Sequence, residues 1–204
     1  MGDSSDVGDS RILVAPSSNW YAAHVADLSF DGSLFAYAAH SYAIVVRPSD
    51  GRILSSLSAH RNRVTAVAFL RQAHLNRYLV TGSTDKAVIV WDVGIERPLK
   101  PLSGHRAEVT CLAPLVRNPH CVASLDAAGV LFVWNVHKSE RPIQKASVDG
   151  VCCMAAVEVG RWCVDVLACG CKNGDVLLLD ASSGQTTRAV GMHDHEVCAI
   201  RALG

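Results

Sequence analysis

The chain has 204 residues, 50% of them hydrophobic and 19% charged, with 19 basic residues balancing 19 acidic ones. That composition supplies a sizeable core, and zero net charge excludes bulk electrostatic attraction as a route to nucleic acid or a membrane surface. No run approaches the ~18 apolar residues of a membrane-spanning helix, and the polar, acidic start lacks a secretory signal's basic and apolar regions, so an intracellular protein is expected.

Residues 1–15, whose first ten are mostly Gly, Ser and Asp, are expected to form a flexible tail. Pro16-Ser17-Ser18-Asn19 then leads to Trp20-Tyr21 and a first unit of about 20–57. Its predicted strands are Val25–Phe30, Leu34–Ala39, Tyr42–Val46 and Ile53–Leu57, separated by the turn signals Asp31-Gly32 and Ser49-Asp50-Gly51.

The second unit, about 60–102, is the most regular. Three short β-branched runs, Val64–Phe69, Tyr78–Asp85 and Val88–Asp92, with a fourth near Pro98–Leu102, read as an antiparallel sheet. A third unit of about 105–146 predicts strands at Val109–Leu115, Cys121–Leu125, Val130–Trp134 and Pro142–Ala146. A fourth, about 147–190, predicts Val151–Val157, Cys163–Ala168, Val176–Leu179 and Thr186–Val190. A fifth unit opens at residues 193–204 with Val197–Ile200.

Ala59-His60 followed some thirty residues later by Trp91-Asp92 resembles the signature of WD-repeat propellers. Trp91-Asp92 recurs as Trp134-Asn135 and, degraded, as Leu179-Asp180, and counting backwards lands on Val46-Arg47. His60 recurs as His105 and His193, each followed four residues later by Val64, Val109 or Val197, while Ser147 replaces the His before Val151. The expectation is an all-β WD40 β-propeller of about four blades plus the start of a fifth, read as an N-terminal fragment of a seven-bladed or double propeller.

His60, Thr81, Asp85 and Trp91 stand where WD repeats place a hydrogen-bonded structural tetrad, in which an indole N–H and an imidazole take a hydroxyl and a carboxylate as partners. Recurrence with the repeat disfavours a catalytic His-Thr-Asp set. In the other units Ala128 and Asn173 stand in the place of Asp85, and Asp126 falls two residues too early.

The eight cysteines lie mostly in predicted strands and read as buried thiols. Cys169-Gly170-Cys171 with His193 and His195 lacks the spacing of a structural zinc site, so no metal is expected. There is no phosphate-binding Gly-rich loop and no nucleophile elbow, so neither an enzyme nor a small-molecule cofactor is expected.

Ser18-Asn19-Trp20-Tyr21-Ala22-Ala23, Ser33-Leu34-Phe35-Ala36-Tyr37-Ala38-Ala39, Asp85 to Asp92 and His193-Asp194-His195-Glu196 resemble the fifth-Gemin family of the survival-motor-neuron (SMN) complex. The resemblance implies an RNA-binding WD-repeat subunit that recognises the Sm site of small nuclear RNA for spliceosomal snRNP assembly. It also implies SMN-complex proteins as partners, and cytoplasm and nuclear gems as locations. Carried over, the RNA-binding residues are Trp20, Tyr21 and Glu196, with His40 standing where the family has an Arg. The family's cap-binding aromatics lie beyond residue 204.

Two alternatives stay open. Trp20-Tyr21 can be a plug packed on the propeller rim. The whole can be a generic protein-interaction scaffold, although the Arg that ubiquitin-ligase receptors carry after Trp-Asp is replaced by Gly94 and His137.

Overall fold

The computed structural model describes residues 24–71, 76–138, 140–158 and 164–200. Trp20, Tyr21, Trp162, Cys163, the expected tail and residues 201–204 lie outside these. The described residues form sixteen strands in four antiparallel sheets, each made of four strands consecutive in the chain. The first holds β1 (Ala26–Leu28), β2 (Phe35–Ala39), β3 (Tyr42–Arg47) and β4 (Arg52–Ser58). The second holds β5 (Val64–Phe69), β6 (Tyr78–Ser83), β7 (Val88–Asp92) and β8 (Arg97–Leu102). The third holds β9 (Val109–Pro114), β10 (Cys121–Asp126), β11 (Val130–Asn135) and β12 (Gln144–Ser147). The fourth holds β13 (Val151–Val157), β14 (Val166–Cys171), β15 (Asp175–Asp180) and β16 (Thr186–Met192).

Short β-branched runs make these strands, and small polar turns separate them. Gly32 and Gly51 take φ of 72° and 68°, the left-handed region that the Asp-Gly turns require. Asp31 closes the first of these turns by accepting the Ser33 N–H and hydroxyl and the Ser29 hydroxyl, which hold its carboxyl down at about 2.

The sheets stack through their faces, with the first strands β1, β5, β9 and β13 side by side in order. Each junction has its own apolar core. Ala36, Val45 and Leu57 meet Phe69, Leu79 and Trp91 between the first and second sheets. Val80, Val90 and Leu102 meet Val122, Phe132 and Trp134 between the second and third. Leu125, Leu131 and Val133 meet Met154, Leu167 and Leu179 between the third and fourth. Because both faces of the middle sheets are covered, their strands read as apolar runs rather than alternating ones. All five residues of β7 are buried.

A bulge recurs near the start of the first strand in each of the last three sheets. Val64 pairs with Ser83 and Ala66 with Gly82, leaving Thr65 unpaired; Thr110 and Cys152 are skipped in the same way. The bulged Thr65 hydroxyl bonds the carbonyl oxygens of Gly82 in its own sheet and Val109 in the next. A bulge re-aims a side chain; here the freed hydroxyl clasps neighbouring sheets.

Two expectations are corrected. The strand expected at Cys163–Ala168 forms later, as β14. Val197–Ile200 forms no strand: Val197 N–H donates to the Cys171 carbonyl, but no described strand offers this segment a ladder on its other side.

Candidate functional site

At the edge where the first strands begin, the connection into each first strand meets the turn that follows the second strand. Thr84 N–H donates to Arg63 O, Ala127 N–H to Glu108 O, and Lys172 N–H to Gly150 O. Two polar networks sit beneath this edge, one in each central sheet.

In the second sheet Trp91 Nε1–H donates to Thr81 Oγ1 at 2.8 Å, and Thr81 Oγ1 lies 2.7 Å from His60 Nε2. His60 Nδ1 lies 3.0 Å from Asp85 Oδ2. The Asp85 carboxylate only accepts, so His60 Nδ1 carries the ring proton, and Nε2 of the neutral ring accepts the Thr81 O–H while the Thr81 oxygen accepts the indole N–H. Asp85 also accepts the N–H groups of Arg61 and Ala87. Burial of His60 lowers its pKa despite the neighbouring carboxylate. Burial of Asp85 acts to raise its pKa, but the backbone donors and His60 together leave it lowered. Thr81 is wholly buried and its hydroxyl is taken up on both sides, so this Asp-His-Thr set presents no nucleophile to a substrate.

The third sheet repeats the network with different residues. Trp134 Nε1–H donates to Ser124 Oγ at 2.7 Å, Ser124 Oγ lies 2.7 Å from His105 Nε2, and His105 Nδ1 lies 2.8 Å from Asp126 Oδ2. Asp126 therefore fills the carboxylate corner that sequence alignment assigns to Ala128. As the last residue of β10 it pairs with Val109 just past the Thr110 bulge, where its carboxylate reaches His105 and also accepts the Ala128 and Val130 N–H groups. In the fourth sheet Cys169 and Leu179, and in the first Tyr37 and Val46, occupy the hydroxyl and Trp positions, all buried. Neither sheet has a Trp at the indole position.

Of the residues carried over from the resemblance, Trp20 and Tyr21 lie outside the described residues, and His40 and Glu196 lie along this edge. His40, at φ 55°, makes the turn between β2 and β3, is exposed, and its carbonyl accepts Val64 N–H at the start of β5. Glu196 is exposed in the segment after β16, immediately before the Val197 that bonds Cys171 at the end of β14. His40 thus sits in the first sheet and Glu196 beside the fourth, with two sheets between them. Sequence reasoning missed the cations at the same edge: Arg61, Arg63, Lys86, Arg106 and Lys172 are all exposed. Their signal was positional, since Arg61 and Arg106 each follow a network histidine, and Lys86 and Lys172 each stand in the turn after a second strand.

Among the described residues no three His, Cys, Asp or Glu side chains converge as a metal site requires. Cys169 and Cys111 pack in the core between the third and fourth sheets, and burial pushes the Cys169 thiol up to about 12. No described helix is long and apolar enough to cross a membrane.

Residues 51–92 match the WD40 family, WD domain, G-beta repeat. Gem-associated protein 5 of Homo sapiens is 26% identical over 208 residues, covering 95% of this chain and 13% of that protein. Component of gems protein 5 of Dictyostelium discoideum is 25% identical over 237 residues, covering 92% of this chain and 18% of that protein. Intraflagellar transport protein 122 homolog of Danio rerio is 30% identical over 156 residues, covering 74% of this chain and 12% of that protein. A chain in the crystal structure of the mitotic checkpoint complex superposes with a TM-score of 0.75 at 22% identity, over 89% of this chain and 53% of that one. This chain thus spans a small fraction, at most 18%, of the length of these three sequence relatives. It is a WD-repeat protein whose four sheets are blades of a β-propeller, and over most of its length its sequence is similar to Gem-associated protein 5.

Proposed function

We propose that this chain is part of a gem-associated WD-repeat protein that binds small nuclear RNA at its Sm site, within the SMN complex, for snRNP assembly in the cytoplasm and nucleus. The observation that carries this reading is the similarity to Gem-associated protein 5 across 95% of the chain, which includes the Asn19-Trp20-Tyr21 stretch. Charge at the blade edge supports it. Arg61, Arg63, Lys86, Arg106 and Lys172 offer phosphate contacts locally in a chain whose net charge is zero. Base recognition falls to Trp20 and Tyr21 by stacking, with Glu196 and His40 as polar contacts.

The test is a titration of single-stranded, uridine-rich Sm-site RNA against the full-length protein at one fixed salt concentration. Trp20→Ala weakens binding by about 1 to 3 kcal/mol, roughly five- to a hundred-fold, with little change in Tm, and Trp20→Phe recovers part of the loss. Unchanged affinity with a large fall in Tm makes Trp20 a rim plug and overturns the RNA reading. The second reading is a protein-interaction scaffold, supported by the 30% identity to an intraflagellar transport protein; it is the outcome if the full-length protein binds no RNA.

A further inference from the structure

On the edge opposite the one that carries His40 and Arg61, where the second strands begin, rings line a crevice between the second and third blades. Tyr78 opens β6 and packs on the core these two blades share. The His137 ring meets Tyr78 with centres 5.5 Å apart, and the His120 ring meets His137 at 4.8 Å. Both contacts are edge-on, at interplanar angles of 81° and 72°. The His120 carbonyl accepts the Val136 N–H, which sets His120 level with a residue of the same core.

Strand register turns two cations of the second blade toward this crevice. Lys100 of β8 pairs with Val90, which lies in the shared core, and cross-strand partners stand on one face of a sheet. Arg97 pairs with Asp92, and Asp92 pairs with Tyr78, so Arg97 stands on the same face. The carboxylate in that row is engaged: Asp92 accepts Arg77 Nε–H at 3.0 Å, a second Arg77 N–H and the Gly94 N–H. Burial is the largest influence lowering the His137 pKa, and the charges of His120 and Lys100 push in the same direction. Arg97 and His137 are exposed, and Lys100 and His120 are half-buried.

We propose that this crevice binds the phosphoryl group of a phosphorylated serine or threonine in a partner protein, through Arg97, Lys100, His120 and His137. A phosphoryl group brings negative charge and three strong acceptor oxygens. Lys100 and Arg97 supply the positive charge, and the imidazoles supply further N–H donors from the facing blade. The rings of Tyr78, His137 and His120 pack edge-on against one another rather than as a parallel slot for a base, which favours a phosphorylated side chain over RNA. Ile95 and Leu99, near Arg97 and Lys100 in the chain, are exposed at 53% and 47%. A peptide running on from the phosphorylated residue covers them, and free phosphate does not. The site lies on the other edge of the blades from the residues assigned to RNA and does not depend on that reading.

The full chain is immobilised and exposed, at one fixed salt concentration, to a peptide library degenerate on both sides of a fixed phosphoserine, and to the same library with plain serine. Retention is read by surface plasmon resonance, with inorganic phosphate and single-stranded RNA as competitors. The phosphoserine library is retained and the serine library is not, and inorganic phosphate competes only at far higher concentration. His137→Gln and Lys100→Met each cut retention by about five-fold or more. Neither side chain is fully buried, so both variants keep the wild-type melting curve. Arg52→Met, which removes an exposed cation of the first blade, leaves retention unchanged. Equal retention of the two libraries, or undiminished retention in both crevice variants, overturns the proposal. Inorganic phosphate that competes as well as the peptides reduces the crevice to a free-anion site and overturns the protein partner. RNA binding that is lost in the same two variants assigns the crevice to nucleic acid and overturns it as well.

Discussion

Asp126 and Asp85 hold the histidines of adjacent blades from different places in the chain. Asp85 stands in the turn beyond β6 and reaches His60 Nδ1 at 3.0 Å, whereas Asp126 is the last residue of β10 and reaches His105 Nδ1 at 2.8 Å. The two networks are therefore equivalent in bonding although their residues do not align.

Removing either carboxylate leaves a buried imidazole N–H without a partner. Asp85→Ala and Asp126→Ala each destabilise by about 1 to 3 kcal/mol, and Ala128→Asp brings no gain because that corner is already filled. Urea denaturation of the three variants measures this; a silent Asp126→Ala removes Asp126 from the network.

The hydroxyl corner tolerates exchange but not deletion. Ser124 makes in the third blade the bonds that Thr81 makes in the second, so Thr81→Ser costs about 1 kcal/mol, the burial of one methyl group. Thr81→Val keeps the shape but strands both Trp91 Nε1 and His60 Nε2, costing about 2 kcal/mol or more. Equal losses in the two variants contradict the assignment.

Acid weakens the folded state through the histidines before the carboxylates. Burial, the largest influence on both His60 and His105, lowers their pKa values below the ordinary 6.5, so near neutral pH each is neutral in the fold. As pH falls below 6.5 the unfolded chain takes up protons that the folded chain does not, and stability declines. Asp85, with its pKa lowered in the fold, adds a further loss below about pH 4, the ordinary carboxylate range. Tm measured from pH 7.5 to 5 falls in the wild type, and the fall is smaller in His60→Gln; a flat profile in the wild type contradicts it.

Close packing at the blade junctions makes two glycines sensitive. A Cβ on Gly82 would lie 2.5 Å from Val109 Cγ1, and one on Gly170 would lie 2.6 Å from both Val197 Cγ1 and Cys153 Sγ. Gly82→Ala therefore destabilises by about 1 to 3 kcal/mol. Gly170→Ala instead displaces the 193–197 segment, which lacks a strand to anchor it, and speeds trypsin cleavage at Arg201 with a smaller change in Tm. Limited proteolysis beside thermal melts separates the two effects.

Strand positions were legible because two local signals agree. Alternating or continuous β-branched runs appear between turn-forming residues, and the His and Trp positions repeat at nearly the same step, as from His60 to His105 and from Trp91 to Trp134. Both depend on neighbours in the chain, so β5, β7 and β13 could be bounded to the residue. The second-blade residues His60, Thr81, Asp85 and Trp91 were legible for the same reason, since each sits at a repeat position.

Tertiary structure decided what depends on register. Asp126 serves His105 only because the Thr110 bulge changes which residues face each other, and no local sequence signal marks that extra residue. The same holds for Thr65, whose hydroxyl reaches Val109 in the next blade, and for Cys152 and Cys153, which meet Val197 although |i−j| is 45 and 44. Sequence by itself located most of the strands and what repeats; whether Val197–Ile200 pairs, and which side chains touch between blades, was decided by the stacking of whole sheets rather than by proximity along the chain.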